Sequence, residues 1–410
     1  MTVTSPEATP RPVTVTPACR TYTIVIPIYN AFQDLIKCVD SVLRNTDSHH
    51  RILLFNDSST DPRVDVAINA WATEHDSITT QTHRQQKGFV ATVNESLRTT
   101  RDDVVVLNSD TIVGPNWLDR LDRCARSDEN IGIVCPLSNN ATILTIPVRS
   151  AENGLGDEEI RSVTELVSQA SGRHYPRLPT AVAFCMLIRR VVIDALEGLD
   201  VLFSPGYGEE CDYSMRAWNA GFEIACCDDA FVYHAGSASF GSDERVLAMR
   251  AENDLFLNHR WPAYGPAVDL FRRNNPLLQL QRTLLAKQES DTGKRQVLVI
   301  LHQMAQASGT EQHAKDIAES LSDEHRCTIL VPMPGFAGPG AGDIRVLKAT
   351  PFGIILGLAT ETLPDDNLFL DMRSSLIDHA LDTRFAKFLA GSEVDAVHFH
   401  PPTPVRIGTP

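Results

Sequence analysis

The chain lacks any run of about 18 apolar residues, which excludes an ordinary membrane-spanning helix. Basic residues are few beside acidic ones: 37 Lys and Arg face 52 Asp and Glu, giving a net charge of −15 and a pI near 5.3. That balance works against broad electrostatic binding to nucleic acid or to an anionic membrane, so no nucleic-acid partner is expected. Phosphate groups must then be met by local features. The nine cysteines contain no CxxC pair and sit in apolar segments, as at Cys124, Cys135 and Cys185. This predicts reduced core thiols, with neither a disulfide framework nor a zinc site. The dinucleotide fingerprint GxGxxG is absent, and so is the phosphate-loop pattern of two glycines four residues apart followed by Lys and Ser or Thr. The first twenty residues are rich in Thr and Pro and have no apolar signal-peptide core, which predicts a disordered arm over 1–20 on a cytoplasmic protein.

With 410 residues and 43% apolar content, the chain can bury sizeable cores in two or three domains. From Tyr22 to Cys135, short β-branched runs alternate with amphipathic stretches. Strands are predicted at Tyr22 to Ile28, Arg51 to Phe55, Ile78 to Thr82, Val104 to Leu107 and Ile131 to Val134, with helices at Phe32 to Leu43, Pro62 to Glu74, Phe89 to Leu97 and Pro115 to Cys124. Such alternation implies βαβ units and a mostly parallel sheet covered on both faces. The polar stretch from Asn139 to Pro179 is expected to be a long excursion or loop. A strand follows at Ala181 to Ile188, a helix at Val191 to Leu196, and an acidic helix start at Glu209-Glu210-Cys211-Asp212. From 243 to 295 the pattern is a helical extension ending in a linker. A second α/β series occupies 296–410, with strands at Val297 to Leu301, Cys327 to Val331 and Ala396 to His400 and helices at Glu311 to Leu321 and Leu376 to Leu389.

The chemistry gathers at strand ends. Val104-Val105-Val106-Leu107 breaks into Asn108-Ser109-Asp110-Thr111, hard oxygen donors at the carboxyl end of a buried strand. That is where an open α/β sheet holds ligands, and such donors suit Mg²⁺ or Mn²⁺ carrying a phosphate; the same residues also make an ordinary Asx turn. The first strand delivers Pro27-Ile28-Tyr29-Asn30 and the second Asn56-Asp57-Ser58-Ser59-Thr60-Asp61 to the same edge. Asp57 can accept from a base N–H or a ribose hydroxyl, or cap the helix beginning at Pro62. Lys87-Gly88-Phe89 opens the third helix, where Gly88 permits close backbone approach and Lys87 either meets a phosphate or is solvated. His234, ending a later apolar run, is either a metal ligand or a structural hydrogen-bonding residue. Glu209, Glu210 and Asp212 are either a solvated face favoured by the helix dipole or a cluster whose repulsion readies one acid to take a proton.

Taken together these motifs resemble the family two glycosyltransferases of GT-A fold. The resemblance covers Tyr22 to Gly241: Pro27 and Asn30, Asn56 to Asp61 in place of the usual Asp-Asp-Gly-Ser-Thr-Asp, Gly88 with Asn94, Asn108-Ser109-Asp110 as the DxD-type motif, and Gly208-Glu209-Glu210-Cys211-Asp212. It implies a GT-A Rossmann-like domain over 21–242. It also implies inverting transfer of a sugar from a UDP- or dTDP-linked donor to an oligosaccharide or lipid-linked acceptor of a bacterial surface glycan. By the same resemblance Asp57 binds the nucleobase and Asp110 the metal, while His234 meets the metal or the diphosphate. Pro27, Tyr29, Asn30, Lys87, Gly88, Asn108 and Ser109 complete the nucleotide site. Glu210 is the base, assisted by Glu209 and Asp212. Asn108 departs from the family's first acid and leaves one carboxylate for the metal.

The second unit resembles the amino-terminal half of a GT-B glycosyltransferase through Leu301-His302-Gln303 and Ser308-Gly309-Thr310-Glu311-Gln312-His313-Ala314. Its missing nucleotide-sugar half implies either a bifunctional transferase cut short or a purely structural unit. Two other functions compete. One is a sugar nucleotidyltransferase, which would favour a Gly-rich basic loop after the first strand, where Pro27-Ile28-Tyr29-Asn30 stands. The other is a non-catalytic glycan-binding or scaffold module. Peripheral attachment at the inner face of the membrane through Leu277 to Leu285 competes with ordinary packing of that helix.

Overall fold

The computed structural model describes residues 20–146, 156–236, 244–290, 295–300, 316–321, 325–333, 344–350, 353–359 and 396–399. The arm before Arg20, the Leu301 to Ala314 motif and the expected helix at Leu376 to Leu389 lie outside them. The first sheet has eight strands: β1 (Tyr22–Ile28), β2 (Arg51–Asn56), β3 (Ile78–Thr82), β4 (Asp103–Leu107), β5 (Thr111–Val113), β6 (Ile131–Leu137), β7 (Cys185–Ile188) and β8 (Glu223–His234), in the order β3-β2-β1-β4-β7-β6-β8-β5. Their centre is apolar on both faces: Ile24, Val25 and Ile26 of β1 and Val104, Val105 and Val106 of β4 are fully buried. Continuous β-branched runs of this kind are what a doubly covered strand requires.

Helices α1 (Phe32–Asn45), α2 (Pro62–Glu74), α3 (Phe89–Thr99) and α4 (Trp117–Ala125) fall where the periodicity places them. In α1 the buried residues Leu35, Cys38, Val39 and Val42 recur at helical spacing. In α2, Asp61 is the cap, its carboxylate accepting from the Arg63 N–H, with Pro62 at the first helical position. Asp57 therefore does not cap this helix.

The sheet is mixed rather than mostly parallel. β1 to β4 are parallel, but β7 runs antiparallel between β4 and β6, and β5 is antiparallel to β8. After β6 the chain leaves and re-enters at the same sheet edge, and an antiparallel return needs no crossover. The excursion also holds a helix that the polar sequence concealed, α5 (Asp157–Ala170), which buries only Ile160, Thr164 and Val167. Then come α6 (Arg190–Leu196) and α7 (Glu209–Asn219).

The extension forms α8 (Glu244–Arg260), α9 (Tyr264–Asn274) and α10 (Leu278–Ser290). Leu277, Leu280 and Leu284 are buried in the same core as the first sheet, so these leucines pack inward rather than onto a membrane. Among the described residues no helix is long and apolar enough to cross a membrane. The described cysteines are free, and nearly all are buried. The second sheet, β9 (Arg295–Ile300), β10 (His325–Met333), β11 (Ile344–Thr350), β12 (Gly353–Ala359) and β13 (Ala396–Phe399), has the order β11-β12-β10-β9-β13. It is parallel except for the β11–β12 pair, which the sequence reading did not anticipate. A separate small core of Val297, Val299, Ala318, Cys327 and Ile329 supports it.

If α10 belongs to the first core, Leu284→Ala should lower the unfolding free energy of that domain by about 2–5 kcal/mol in denaturant titrations. A loss below about 0.5 kcal/mol would mean that the helix is not docked there.

Candidate functional site

Parallel pairing of β1, β2 and β4 brings Tyr29, Asp57 and Asn108 to one edge of the sheet. Asn30, at φ 57°, stitches the first two ends together: its Oδ1 accepts from the Thr60 N–H (2.8 Å), the Thr60 hydroxyl (3.1 Å) and the Asp61 N–H (3.2 Å), and its own N–H donates to Ser59 Oγ. Pro27 lies within β1 opposite Phe55, while the Tyr29 ring is 37% exposed at the edge.

Asp57 is buried and heavily engaged. Its Oδ1 lies 2.6 Å from His83 Nδ1 and accepts from the Lys87 N–H at 2.8 Å; its Oδ2 accepts from the Gly88 N–H at 2.8 Å. A carboxylate has about four acceptor positions, so Oδ2 retains the capacity for one further donor. His83 Nε2 lies 3.0 Å from Glu95 Oε2, which also pairs with the Lys87 ammonium at 3.3 Å. His83 and Lys87 together hold the Glu95 carboxyl below its usual range despite some burial. Neither His83 nor Glu95 was singled out in the sequence. His83 does follow directly on β3, so the strand-end rule that flagged Asp57 could have found it.

Gly88 caps α3 at φ +87°, and a Cβ there would lie 3.0 Å from the Pro205 Cβ and 3.1 Å from its backbone. Only glycine allows both the conformation and the approach. The Phe89 N–H donates to the Pro205 carbonyl at 3.2 Å. Asn94, further along α3, grips the Leu199 main chain through both ends of its amide (2.7 and 2.8 Å).

Asn108-Ser109-Asp110 is indeed a turn: the Asn108 carbonyl accepts from the Thr111 hydroxyl at 2.6 Å and the Thr111 N–H at 3.3 Å. The backbone makes the turn, which leaves the three partly exposed side chains to face outward chemistry. β5 then pairs antiparallel with β8, Thr111 opposite His234, and the ladder continues through the Ala235 N–H to the Asp110 carbonyl. This register sets His234 Nε2 3.4 Å from Asp110 Oδ2. His234 Nδ1 lies 2.7 Å from the Asn140 carbonyl, which can only accept, so Nδ1 carries a proton and the lone pair of a neutral ring falls on Nε2. Asn139 holds the His234 backbone through two 2.9 Å bonds, and Phe184 stacks on the ring at 5.4 Å. Burial pushes the His234 pKa down, but Asp110 and the Asn140 carbonyl outweigh it and raise it.

The three acids of α7 have different surroundings. Asp212 is wholly buried and accepts from Arg216 Nε (2.7 Å) and Trp261 Nε1 (2.8 Å), with the Arg260 guanidinium at 3.1 Å. Glu209 is buried with its Oε2 unpartnered, and burial together with the Glu210 charge pushes its carboxyl well up. Glu210 is raised mainly by burial, partly offset by backbone hydrogen bonds at the helix start and increased by Asp254. The Glu210 charge acts on the thiols of Cys135 and Cys211 and on the Tyr264 hydroxyl. Cys135 Sγ in turn meets the Val182 backbone, two residues before Phe184.

A donor pair of one imidazole nitrogen and one carboxylate oxygen fits a divalent ion that keeps most of its coordination for phosphate and water. Among the described residues no group of three His, Cys, Asp or Glu side chains forms a complete protein cage. A cleft of about 820 Å³ between α3, α6 and α7 is lined by neither Asp110 nor His234, and its Arg190, Arg216 and Arg260 are already paired with Asp194, Asp212 and Asp200.

No curated protein matches the chain. Among solved structures it is similar to GalNAc-T7 with UDP, GalNAc and Mn²⁺ (17% identity, 65% of this chain and 54% of that one, TM-score 0.46). It is also similar to the mannosyltransferase PcManGT from Pyrobaculum calidifontis in complex with GDP-Man and Mn²⁺ (14%, 73% and 80%, TM-score 0.43). A third is S. aureus TarS 1-349 in complex with UDP-GlcNAc (10%, 65% and 80%, TM-score 0.40). The chain spans about half the length of the GalNAc-T7 structure. Residues 23–196 match the family described as Glycosyl transferase family 2, and the α/β domain that contains them has the GT-A Rossmann-like fold.

Proposed function

We propose that this protein transfers a sugar from a nucleoside diphosphate donor, UDP- or dTDP-linked, to a hydroxyl of an oligosaccharide or lipid-linked glycan, with inversion at the anomeric carbon. The observation that carries this reading is the Asp110–His234 apposition at the carboxyl edge of the sheet, with Nδ1 tied to Asn140 and Nε2 turned to the carboxylate. Asp110 Oδ2 and His234 Nε2 would hold a Mg²⁺ or Mn²⁺ ion, which when bound supplies positive charge for the diphosphate.

The chain's own groups do the rest. Tyr29 and the Asp57–Gly88 corner receive the nucleoside, with one acceptor position left on Asp57. Glu210 takes the proton of the acceptor hydroxyl as its oxygen bonds to the anomeric carbon. The bond from that carbon to the diphosphate oxygen breaks, and the electron pair leaves with the nucleoside diphosphate. A carboxyl raised by burial is a better proton acceptor than an ordinary one, provided it is ionised at the working pH. The parallel strands β9, β10, β12 and β13 support reading 296–410 as a partial second Rossmann-like unit. The non-catalytic reading keeps one observation in its favour, Asn108 in place of an acid, and it predicts no donor hydrolysis at all.

Glu210→Gln should cut donor turnover by about 10²- to 10⁴-fold while calorimetry shows UDP or dTDP binding unchanged. Turnover at the wild-type rate would sink the base assignment. Asp110→Asn and His234→Ala should each weaken Mn²⁺ binding in the presence of UDP by at least about tenfold, read from the free-Mn²⁺ electron paramagnetic resonance signal; equal affinity in both would remove these residues from the metal site. Glu209 gives a stability prediction. An acid raised in the folded state keeps its proton where the unfolded chain has lost it, so stability falls as pH rises above the ordinary value of 4.5. Glu209→Gln should therefore flatten the decline of Tm above about pH 4.5, whereas an unchanged slope would contradict the burial of a protonated Glu209.

A further inference from the structure

The family match ends at residue 196, yet α8 and α9 close over the start of α7. The turn leading into that helix is strained: Tyr207 has φ 76° and Gly208 φ 95°, two successive left-handed residues. For tyrosine that conformation costs on the order of 1–2 kcal/mol, and it persists only where surrounding contacts enforce it. Those contacts come from the extension. The Asn253 amide donates to the Gly206 carbonyl at 3.1 Å and the Tyr207 carbonyl at 2.8 Å. The Arg250 guanidinium lies 3.7 Å from the centre of the Tyr207 ring. Trp261 and Arg260 reach Asp212, the Tyr264 hydroxyl meets Cys211 Sγ at 3.0 Å, and Phe256 packs edge-on against Phe203, the ring nearest Gly208.

We propose that Asn253 is a positioning residue for the base: by holding the Gly206 and Tyr207 carbonyls it fixes the turn that sets Gly208 as the cap of α7, and hence the place of Glu210 in the first turn. This makes α8–α9 a working part of the transferase site, and it rests on the assignment of Glu210 as base. The physical reasoning is short. A helix start has no internal partners for its first N–H groups, so its geometry is set by the residues before it. Misplacement of a reacting group by about 1 Å costs on the order of 10² in rate. Two bonds from one amide to successive carbonyls tie this turn to α8.

The test compares Asn253→Leu, which keeps the shape without the donors, Asn253→Gln, which restores an amide, and Glu210→Gln, all in the full chain. Turnover is measured on whichever of UDP-glucose, UDP-galactose, UDP-GlcNAc and dTDP-glucose the unmodified protein hydrolyses. Asn253→Leu should lower kcat by about ten- to a hundred-fold with donor KM within about twofold, and Asn253→Gln should recover part of the loss. Hydrogen exchange, which needs no substrate, should speed up at the amides of residues 207–212 in Asn253→Leu while the β1–β4 core stays protected. Wild-type kcat in Asn253→Leu beside an inactive Glu210→Gln would overturn the positioning role and leave the base standing; an active Glu210→Gln would instead strike the functional reading beneath it. Faster exchange throughout the domain, with kcat falling only in step with Tm, would reduce Asn253 to a packing residue. Unchanged exchange at 207–212 would also overturn the proposal.

Discussion

The pairing of β5 with β8 is the constraint on which the rest of the site depends. Three residues of β5 carry little stability by themselves, but their register is fixed by burial of Thr111, Ile112 and Val113. A slip by one residue would reverse the faces of the whole strand and carry Asp110 away from His234. The apposition of a carboxylate and an imidazole from distant parts of the chain is thus a consequence of apolar packing a few ångströms away.

Much of this was legible in the sequence, and the failures have physical causes. β1, α2 and β3 have the boundaries that the pattern assigns them: β1 is a nearly continuous apolar run, α2 opens on Asp61 and Pro62, and β3 is a short Thr-rich segment. β8 was visible only at its end, since Cys227-Asp228-Asp229 reads as a polar break. In the fold Asp229 is fully buried between Arg123 (2.5 Å) and Arg173 (3.2 Å), and Asp228 accepts from the Ser171 hydroxyl and the Tyr175 N–H. Pairing of that kind is what lets charge pass through a core strand, and local pattern carries no trace of it. α5 was missed for the converse reason: its buried stripe is three residues wide and one of them is a threonine.

In the site itself, residue types were easier to read than their engagements. Asp57, Asp110, Glu210 and Asp212 are all acids at places where a ligand is expected, yet Asp212 is enclosed by two arginines and an indole, and Asp57 already holds a loop in place. A sequence announces a carboxylate but not whether its lone pairs are already taken. His83, Asn139, Asn140 and Asn253 escaped notice because each acts through a contact made only when remote segments meet.

The contact between Gly88 and Pro205 gives the two halves of the site a shared mechanical element. Gly88 is bonded through its N–H to Asp57 on one side and pressed against Pro205 on the other, and Pro205 opens the loop that runs into α7. A ligand that shifts the Asp57 corner must therefore strain or relax the loop before Glu210. By thermodynamic reciprocity, whatever seats or unseats that loop alters affinity at the Asp57 corner by the same free energy. The Asp57 corner and the loop before α7 act as one lever, with glycine as its fulcrum.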